Sequence, residues 1–188
     1  MTAAPDDLVV LLDAQGQPCG TADRSTVHST QTPLHLAFSC YVIDATGRVL
    51  VTRRALTKRT WPGVWTNACC GHPLPGERFE DAIARRLAQE LGARAAAIAP
   101  VLPDFRCEAV DASGIRENEV CPVFVATLEG GLTPDPDEVM EHRWVDPGAL
   151  AEVAARSPWL LSPWSVEQIL QMDLPNLGPS LVGAALAQ

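Results

Sequence analysis

The chain has 188 residues and a formal net charge of −9, and it is 47% hydrophobic and 20% charged. This length predicts a single domain, residues 1–188, that buries roughly 70% of its unfolded surface and can enclose a complete core and a pocket. The negative charge disfavours nucleic acid and anionic membranes as partners, because a protein must neutralise the phosphates of both.

The sequence carries no signal for export or membrane insertion. Its first residues, MTAAPDDLVVLLD, place acids before the apolar run, and no apolar run reaches the ~18 residues of a membrane span. We therefore expect a cytoplasmic protein whose six cysteines are reduced thiols. We also expect a monomer. None of them forms a Cys-x-x-Cys pair, which disfavours a structural zinc site.

Strands and helices are predicted in an α/β order without internal repeats. Short apolar runs and turn residues predict strands at 8–12, 36–43, 49–53, 105–110, 120–128 and 142–145. Hairpins are predicted around the turns at 44–47 and 111–114. Helices are predicted at 79–91, closed by Gly92, and at 148–156 and 163–172. The segment 173–188 is expected to be a loosely ordered tail.

Four basic residues lie close together from the end of the third predicted strand onwards, at Arg53, Arg54, Lys58 and Arg59. On an acidic protein, such a patch suits a compact, multiply charged anion such as a diphosphate. A solvated loop face is the alternative interpretation.

The segment TNACCGHPLPGE, residues 66–77, contains the groups of a reactive site. Cys70 can give or take a proton, and His72 can bind a metal. Gly71 allows the backbone to approach a ligand closely. Cys69 would face the opposite way from Cys70 on an extended segment, and this alternation alone does not decide which of the two thiols is reactive.

The helix predicted at 79–91 has two charged residues on its inward face. At 100° per residue, Arg86 and Glu90 fall within the same arc as the apolar side chains. Charged groups on an inward face need partners. Either the two residues pair with each other, four positions apart, or they face a metal–diphosphate ligand.

Three of the four histidines and two glutamates indicate a candidate metal site. His28 and His35 bracket one short segment, and His72 follows Cys70. Glu117 and Glu119 are spaced so that both point the same way on a strand. Such a mixture of nitrogen and oxygen ligands suits Mn²⁺, Mg²⁺ or Zn²⁺. Each histidine alone is more often an ordinary surface or core residue.

Two sets of residues carry a resemblance to known proteins. The first fits the spacing of the Nudix box and consists of Gly71, Glu77, Arg85, Leu87, Glu90 and Gly92. The second consists of the segments HSTQTPLHLAFS, VTRRALTKRTWPGVWTNACCGHP, SGIRENEVCPVF and SPWSV, in this order. Together they resemble the type I isopentenyl-diphosphate isomerases over roughly residues 8–172. The resemblance implies an α/β (α+β) class, a Nudix-like mixed sheet flanked by helices.

The resemblance also implies a reaction and a site. That family interconverts isopentenyl diphosphate and dimethylallyl diphosphate by protonating the alkene and removing a proton from the opposite face, through a tertiary carbocation. By position in this chain, the proton-transfer groups are Cys70 and Glu119, and Trp164 shields the cation. Of the two adjacent thiols only Cys70 aligns with the family residue, so we expect Cys69 to fill space in the core. The implied metal ligands are His28, His35, His72, Glu117 and Glu119. The implied diphosphate site consists of Arg24, Arg54, Lys58 and Arg86, with Glu90 as a ligand of a second, diphosphate-bound Mg²⁺.

One departure from the family pattern is Cys107, which stands where the family has a tyrosine that orients the catalytic glutamate. Two other functions compete with the isomerase. A Nudix hydrolase of a nucleoside diphosphate derivative is disfavoured, because Arg86 and Gln89 replace two glutamates of the box. A non-catalytic metal-binding module would leave Cys70 and Trp164 unexplained.

Overall fold

The computed structural model of the chain describes residues 8–174 and residue 177. Its strands are β1 (Leu8–Leu12), β2 (Pro18–Asp23), β3 (His35–Leu36), β4 (Phe38–Ile43), β5 (Val49–Arg54), β6 (Trp65–Thr66), β7 (Cys69–Gly71), β8 (Arg94–Leu102), β9 (Arg106–Val110), β10 (Arg116–Val120), β11 (Val123–Glu129) and β12 (Val139–Val145). Its helices are α1 (Phe79–Leu91), α2 (Pro147–Arg156) and α3 (Pro163–Gln171).

The strands form two mixed sheets. The first has the order β2-β1-β3-β10-β9, and the second has the order β12-β5-β4-β11-β8, with β6 on β5 and β7 on β4. Two stretches of chain pass from one sheet into the other, β3 into β4 and β10 into β11. They run parallel throughout, so that His35 faces Glu119 in the first sheet and Ser39 faces Val123 in the second. The junction of the sheets therefore has two adjacent parallel strands on which side chains can converge.

Two apolar clusters cover the two faces of the second sheet. Along β4, Phe38, Cys40 and Val42 pack with the inward face of α1, whereas Tyr41 and Ile43 pack with α2 and α3. This alternation follows from the two-residue period of a strand. The predicted α/β (α+β) class with helices flanking mixed sheets is confirmed.

The local predictions that depend on turns and caps agree with the structure. The strand at 8–12 and the helix at 79–91 have the predicted bounds, and Gly92 ends α1 with a left-handed φ of 57°. A Cβ on Gly92 would lie 2.6 Å from the carbonyl oxygen of Thr133, so this position requires glycine.

Two strand predictions were wrong, and two of the longer strands were missed. The segment 120–128 is not one strand, because Pro122 has no N–H for the ladder and separates β10 from β11. The hairpin partner of β9 is therefore β10. The segment 36–43 is divided at Ala37, where the chain changes sheet. The missed strands are β2, which is largely exposed, and β8, whose alanines carry no alternating pattern.

The predicted tail, 173–188, falls mostly outside the described residues. Leu174, near its start, is only 1% exposed and belongs to the core that α2 and α3 cover. Burial of this apolar side chain stabilises the first residues of the segment, and the loose order of the remainder stays a prediction. Within the described residues, none of the helices has the length and apolar character of a membrane span.

Candidate active site

Three histidines and two glutamates meet at the junction of the two sheets. Glu119 Oε1 lies 3.3 Å from both His35 Nε2 and His72 Nε2, and 4.0 Å from His28 Nε2. His28 Nε2 in turn lies 2.9 Å from Glu117 Oε2. One ligand atom from each histidine and one from Glu119 lie within 4.8 Å of one another. The fold thus brings together the five side chains predicted as metal ligands, which are up to 91 positions apart in the sequence.

The strand register explains this convergence. Glu119 is the direct neighbour of His35 across the parallel pair β3–β10, and Glu117 points the same way two residues earlier. His72 follows β7, which pairs with β4. The buried His35 ring has its Nδ1 2.9 Å from the carbonyl oxygen of Pro33. Since a carbonyl only accepts, Nδ1 carries a proton, and this contact orients the ring so that Nε2 faces the cluster.

The cluster holds its groups in definite charge states. Burial would raise the pKa of Glu119, but hydrogen bonds from His28, His35 and His72 hold it well below its usual value. Burial would lower the pKa of His28, but the carboxylates of Glu117 and Glu119 raise it to about 9. Burial is the main reason that the pKa of His72 is lowered. At neutral pH, Glu119 is therefore ionised, His28 is charged and His72 is neutral.

The donor set fits a divalent cation. Glu117 Oε2 is buried and has no hydrogen-bond partner, although His28 Nε2 is 2.9 Å away. Once His28 gives up its proton, this buried oxygen has no partner, which is costly, and an ion placed between it and the imidazoles would satisfy it. Imidazole nitrogens and carboxylate oxygens suit Mn²⁺, Mg²⁺ or Zn²⁺.

The thiol of Cys70 lies close to this cluster, on β7. Its Sγ is 3.4 Å from Ser39 Oγ and 3.2 Å from Asn67 Oδ1. Burial raises the pKa of Cys70 to about 11, with smaller opposing contributions from hydrogen bonds to Ser39 and Asn67. The thiol is therefore protonated at neutral pH. Cys69 faces the other way and packs beneath α1, as its predicted role in the core requires.

The indole of Trp164, at the start of α3, closes the same space. Its Nε1 donates to Asn67 Oδ1 at 3.1 Å, and the ring of Trp61 stacks on it edge to face at 5.1 Å. Cys70, Glu119 and Trp164 line one cavity of about 890 Å³. A thiol, a carboxylate and an aromatic ring thus face a common volume.

The cations predicted to bind a diphosphate also line this cavity. They are Arg24, Arg54, Lys58 and Arg86. Arg54 is held by the carbonyl oxygen of Thr60, and its guanidinium carbon lies 5.9 Å from the centre of the Trp164 ring. Arg53 does not belong to the site, because it turns away to the carbonyl of Gly63 and to Glu141.

Arg86 and Glu90 form the i,i+4 pair that the helix predicts. Arg86 donates to Glu90 Oε1 through Nη2 at 2.6 Å and through Nε at 2.9 Å, and both residues line the cavity. Burial raises the pKa of Glu90, and Arg86 opposes this. Each of the two residues thus neutralises the charge of the other when no ligand is bound, and the ion pair forms part of the cavity wall.

Glu138 is a cavity residue that sequence reasoning missed. Its carboxylate is ion-paired with Lys58, and its Oε1 lies 3.5 Å from Arg86 Nη2. Lys58 and Glu138 are 80 positions apart, and Glu138 follows a run of acidic and proline residues that reads as an ordinary loop. No local pattern distinguishes it from its acidic neighbours.

Comparison with known proteins places the chain in a family. Residues 33–164 match the NUDIX domain family. The chain is 58% identical over 175 residues to the isopentenyl-diphosphate Delta-isomerase of Leifsonia xyli subsp. xyli, covering 92% of both chains. It is 58% identical over 164 residues to that of Frankia alni, covering 87% of this chain and 84% of the relative. The chain belongs to the isopentenyl-diphosphate Delta-isomerase family. The resemblance seen in the sequence is thereby confirmed.

Solved structures show the same fold at low sequence identity. A MutT NUDIX hydrolase from Burkholderia pseudomallei has a TM-score of 0.56 and 20% identity, over 74% of this chain and 98% of its own. At that identity the likeness concerns the fold alone. The function has to be argued from the side chains of the site.

The Nudix box of this family member is largely structural. Arg85 bonds Glu77 at 2.7 Å and the carbonyl of His72 at 3.2 Å, so it anchors the segment that carries a predicted ligand. A Cβ on Gly71 would lie 2.9 Å from Cγ of Arg86. Gly71 is therefore needed for close packing of α1. It also lines the cavity, so the close approach of its backbone to a ligand stays a prediction.

Cys107, the departure from the family pattern, lies beside Glu119. The two residues are direct neighbours across β9 and β10, and Cys107 is only 5% exposed. Burial is the main cause of the raised pKa of Cys107, followed by the charge of Glu119. Tyr41, the only tyrosine in the sequence, donates instead to Gln168. The orientation of Glu119 therefore depends on the imidazoles and not on a phenol.

We expect Cys107→Tyr to keep or raise turnover, because a phenol hydrogen bond would add to the restraints on Glu119. Since the surroundings of Cys107 have closed around a small side chain, the ring should lower the free energy of unfolding by about 1–3 kcal/mol. Denaturant unfolding and steady-state turnover, measured on the same preparation, separate the two effects. A well-folded variant with sharply lower turnover would contradict the expectation.

Proposed function

We propose that this protein interconverts isopentenyl diphosphate and dimethylallyl diphosphate, supplying the precursors of isoprenoids. The proposal depends on one observation. Cys70 and Glu119 line the same cavity, and at neutral pH the thiol is protonated whereas the carboxylate is ionised. An isomerisation of this kind needs one group that gives a proton and one that takes a proton. A hydrolase would need neither the thiol nor the indole of Trp164.

The chemistry then follows from the positions of these groups. Cys70 gives its proton to the terminal carbon of the alkene, and positive charge develops on the neighbouring tertiary carbon. The face of Trp164 stabilises this charge, because an aromatic ring attracts a cation. Glu119 removes a proton from the adjacent carbon, and the double bond forms at its new position. In the reverse direction the same two groups exchange roles.

The basic residues that line the cavity hold the diphosphate in this proposal. Arg24, Arg54, Lys58 and Arg86 supply positive charge, and guanidinium groups match phosphate oxygens in two-point contacts. Glu90 adds the carboxylate for a Mg²⁺ that enters with the diphosphate. These contacts fix the alkene end of the substrate between the thiol and the carboxylate.

The residues at the sheet junction that would hold a divalent ion are His28, His35, His72, Glu117 and Glu119. Such an ion, whether Mn²⁺, Mg²⁺ or Zn²⁺, supplies positive charge that keeps Glu119 ionised and immobile. We further propose that the enzyme acts as a monomer in the cytoplasm.

Incubation of the purified protein with isopentenyl diphosphate and divalent metal tests the proposal. We expect dimethylallyl diphosphate as the product, detected by its acid lability or by mass-resolved chromatography. Release of phosphate without isomerised product would favour a Nudix hydrolase instead. The replacement of box glutamates by Arg86 and Gln89 argues against that outcome.

We expect Glu138→Gln to lower the KM for isopentenyl diphosphate about fivefold. The carboxylate of Glu138 forms ion pairs with Lys58 and Arg86 in the absence of substrate. It therefore competes with the diphosphate for both cations. Removing a partly buried ion pair of this kind corresponds to ~1 kcal/mol of binding free energy. Steady-state kinetics at fixed Mg²⁺ measures the change.

Glu141→Gln is the matched control, because Glu141 lies three residues after Glu138, on β12, and pairs with Arg53 and Arg143 outside the cavity. Its KM should equal that of the unmodified enzyme. A higher KM for Glu138→Gln would mean that Glu138 holds the two cations in place and does not compete with the substrate.

A further inference from the structure

A chain of buried polar side chains runs from the Cys70 thiol into the core, and it begins at Ser39, which lines the cavity. Tyr41 donates to Gln168 Oε1 at 3.1 Å, and Gln168 Nε2 donates to Ser39 Oγ at 2.9 Å. Ser39 Oγ lies 3.4 Å from Cys70 Sγ and 3.5 Å from Cys121 Sγ. Ser39 and Gln168 are fully buried. No role in the reaction proposed above accounts for this arrangement.

Asn67, the other polar neighbour of the thiol, is already fully hydrogen-bonded. Its Oδ1 accepts from Trp164 Nε1 at 3.1 Å and from Thr66 Oγ1 at 2.8 Å. Its Nδ2 donates to the carbonyl oxygens of Cys69 and Cys40, at 2.8 and 3.1 Å. An amide has two lone pairs and two N–H bonds, so its contacts with Cys70 Sγ, 3.2 Å from both Oδ1 and Nδ2, can only share groups that already have closer partners.

Ser39 is therefore the partner that decides in which direction the S–H bond of Cys70 points. One lone pair of its Oγ accepts from Gln168, which leaves one O–H and one lone pair for two sulfurs, those of Cys70 and Cys121. Only two arrangements satisfy this. Either Ser39 donates to Cys70 and accepts from Cys121, or it donates to Cys121 and accepts from Cys70.

The burial of Cys121 selects between these arrangements. Cys121 is 2% exposed, and among the described residues Ser39 is the only side chain within hydrogen-bond reach of its sulfur. If Ser39 donated to Cys121, the S–H of Cys121 would have no acceptor in the core. If Ser39 donates to Cys70, every buried proton has an acceptor, and the S–H of Cys70 is left for the cavity.

We propose that Ser39 is a positioning residue of the isomerase, which donates its hydroxyl proton to Cys70 Sγ and thereby directs the thiol proton into the cavity. This inference rests on the proposed function. When the S–H bond breaks and the alkene takes the proton, the electron pair stays on sulfur. The Ser39 O–H then faces a negative sulfur, and a hydrogen bond to a charged group is stronger than one to a neutral thiol. The contact strengthens as the reaction proceeds, so it favours the transition state over the bound substrate.

Infrared spectroscopy of the S–H stretch tests the direction without any turnover. The difference between the protein and its Cys121→Ala variant isolates the band of Cys121, and the difference from Cys70→Ala isolates that of Cys70. A thiol that loses its acceptor moves its band to higher wavenumber. In a Ser39→Ala background, we expect the Cys121 band to rise and the Cys70 band not to rise. A rise of the Cys70 band instead would overturn the inference.

Steady-state kinetics tests the consequence. We expect Ser39→Ala to lower kcat about tenfold and to leave KM within about twofold, because the lost hydrogen bond is strongest in the transition state. The matched control is Cys40→Ala, which removes one buried atom from the next residue of β4, on the opposite face. It should keep kcat. An unchanged kcat in Ser39→Ala would overturn the inference.

Ser39→Ala leaves the Gln168 amide without its acceptor and destabilises the core. If that variant does not fold, Ser39→Ala combined with Gln168→Met removes the orphaned donor and allows the same measurements. If the unmodified protein does not isomerise the substrate, the proposed function fails, whereas the infrared bands still decide the direction of the Ser39 hydrogen bond.

Discussion

Replacing Cys70 with alanine is expected to abolish isomerisation while leaving the fold and the metal content intact. The thiol is the proton donor on its side of the cavity, and loss of a positioned acid costs about 10²–10⁴ in turnover. Cys70→Ser should leave little activity, because an alcohol is a weaker acid than a thiol. Turnover of isopentenyl diphosphate, with unfolding temperature and metal analysis on the same samples, checks these outcomes.

Cys69→Ala is the control for this change, since Cys69 is the adjacent thiol and packs beneath α1 on the opposite face. It removes the same atom from the neighbouring position and should matter little for turnover. If Cys70→Ala kept near-normal turnover, the proton-transfer role would have to move to another group.

Removal of the divalent ion is expected to abolish turnover, and its rebinding should depend strongly on pH. Metal binding needs a neutral imidazole, whereas His28 in the metal-free protein has a pKa of about 9. Below that pH the ion must displace a proton from His28. Apparent affinity should therefore rise about tenfold for each pH unit between neutrality and pH ~9, and then level off. Competition with a chromophoric chelator across this range measures the slope.

Two histidine variants define the source of that slope. His28→Gln should bind metal more weakly but with little pH dependence, because the competing proton is gone. His142→Gln should behave like the unmodified protein, since His142 lies on β12, outside the cluster. An affinity independent of pH in the unmodified protein would mean that His28 is neutral before the ion arrives.

Several parts of the site were predictable because they depend on residues close together in the chain. The bounds of α1 follow from its apolar period and from Gly92, which alone accepts the left-handed turn. The opposite directions of Cys69 and Cys70 follow from the two-residue period of an extended segment, and the family resemblance indicated Cys70 as the reactive thiol. Glu117 and Glu119 share a face for the same reason. The spaced segments that match the isomerase family indicated the reaction itself.

Other parts depend on contacts between distant segments, which no local pattern encodes. The break at Pro122 divides a predicted strand between two sheets, and the packing of the sheets then sets which side chains meet. Glu138 reaches Lys58 across 80 positions, and Gln168 reaches Ser39 across 129. A glutamate after a loop and a glutamine in a helix look ordinary in the sequence, because their roles depend on what the fold places beside them.

The sequence by itself determined the family, the chemical types of the site residues and the local elements that carry them, because spacing and turn chemistry act over a few residues. Only the tertiary structure decided the charge states and hydrogen-bond directions of those residues. Burial and partners set both properties, and both arise when strands from the two sheets enclose a common cavity.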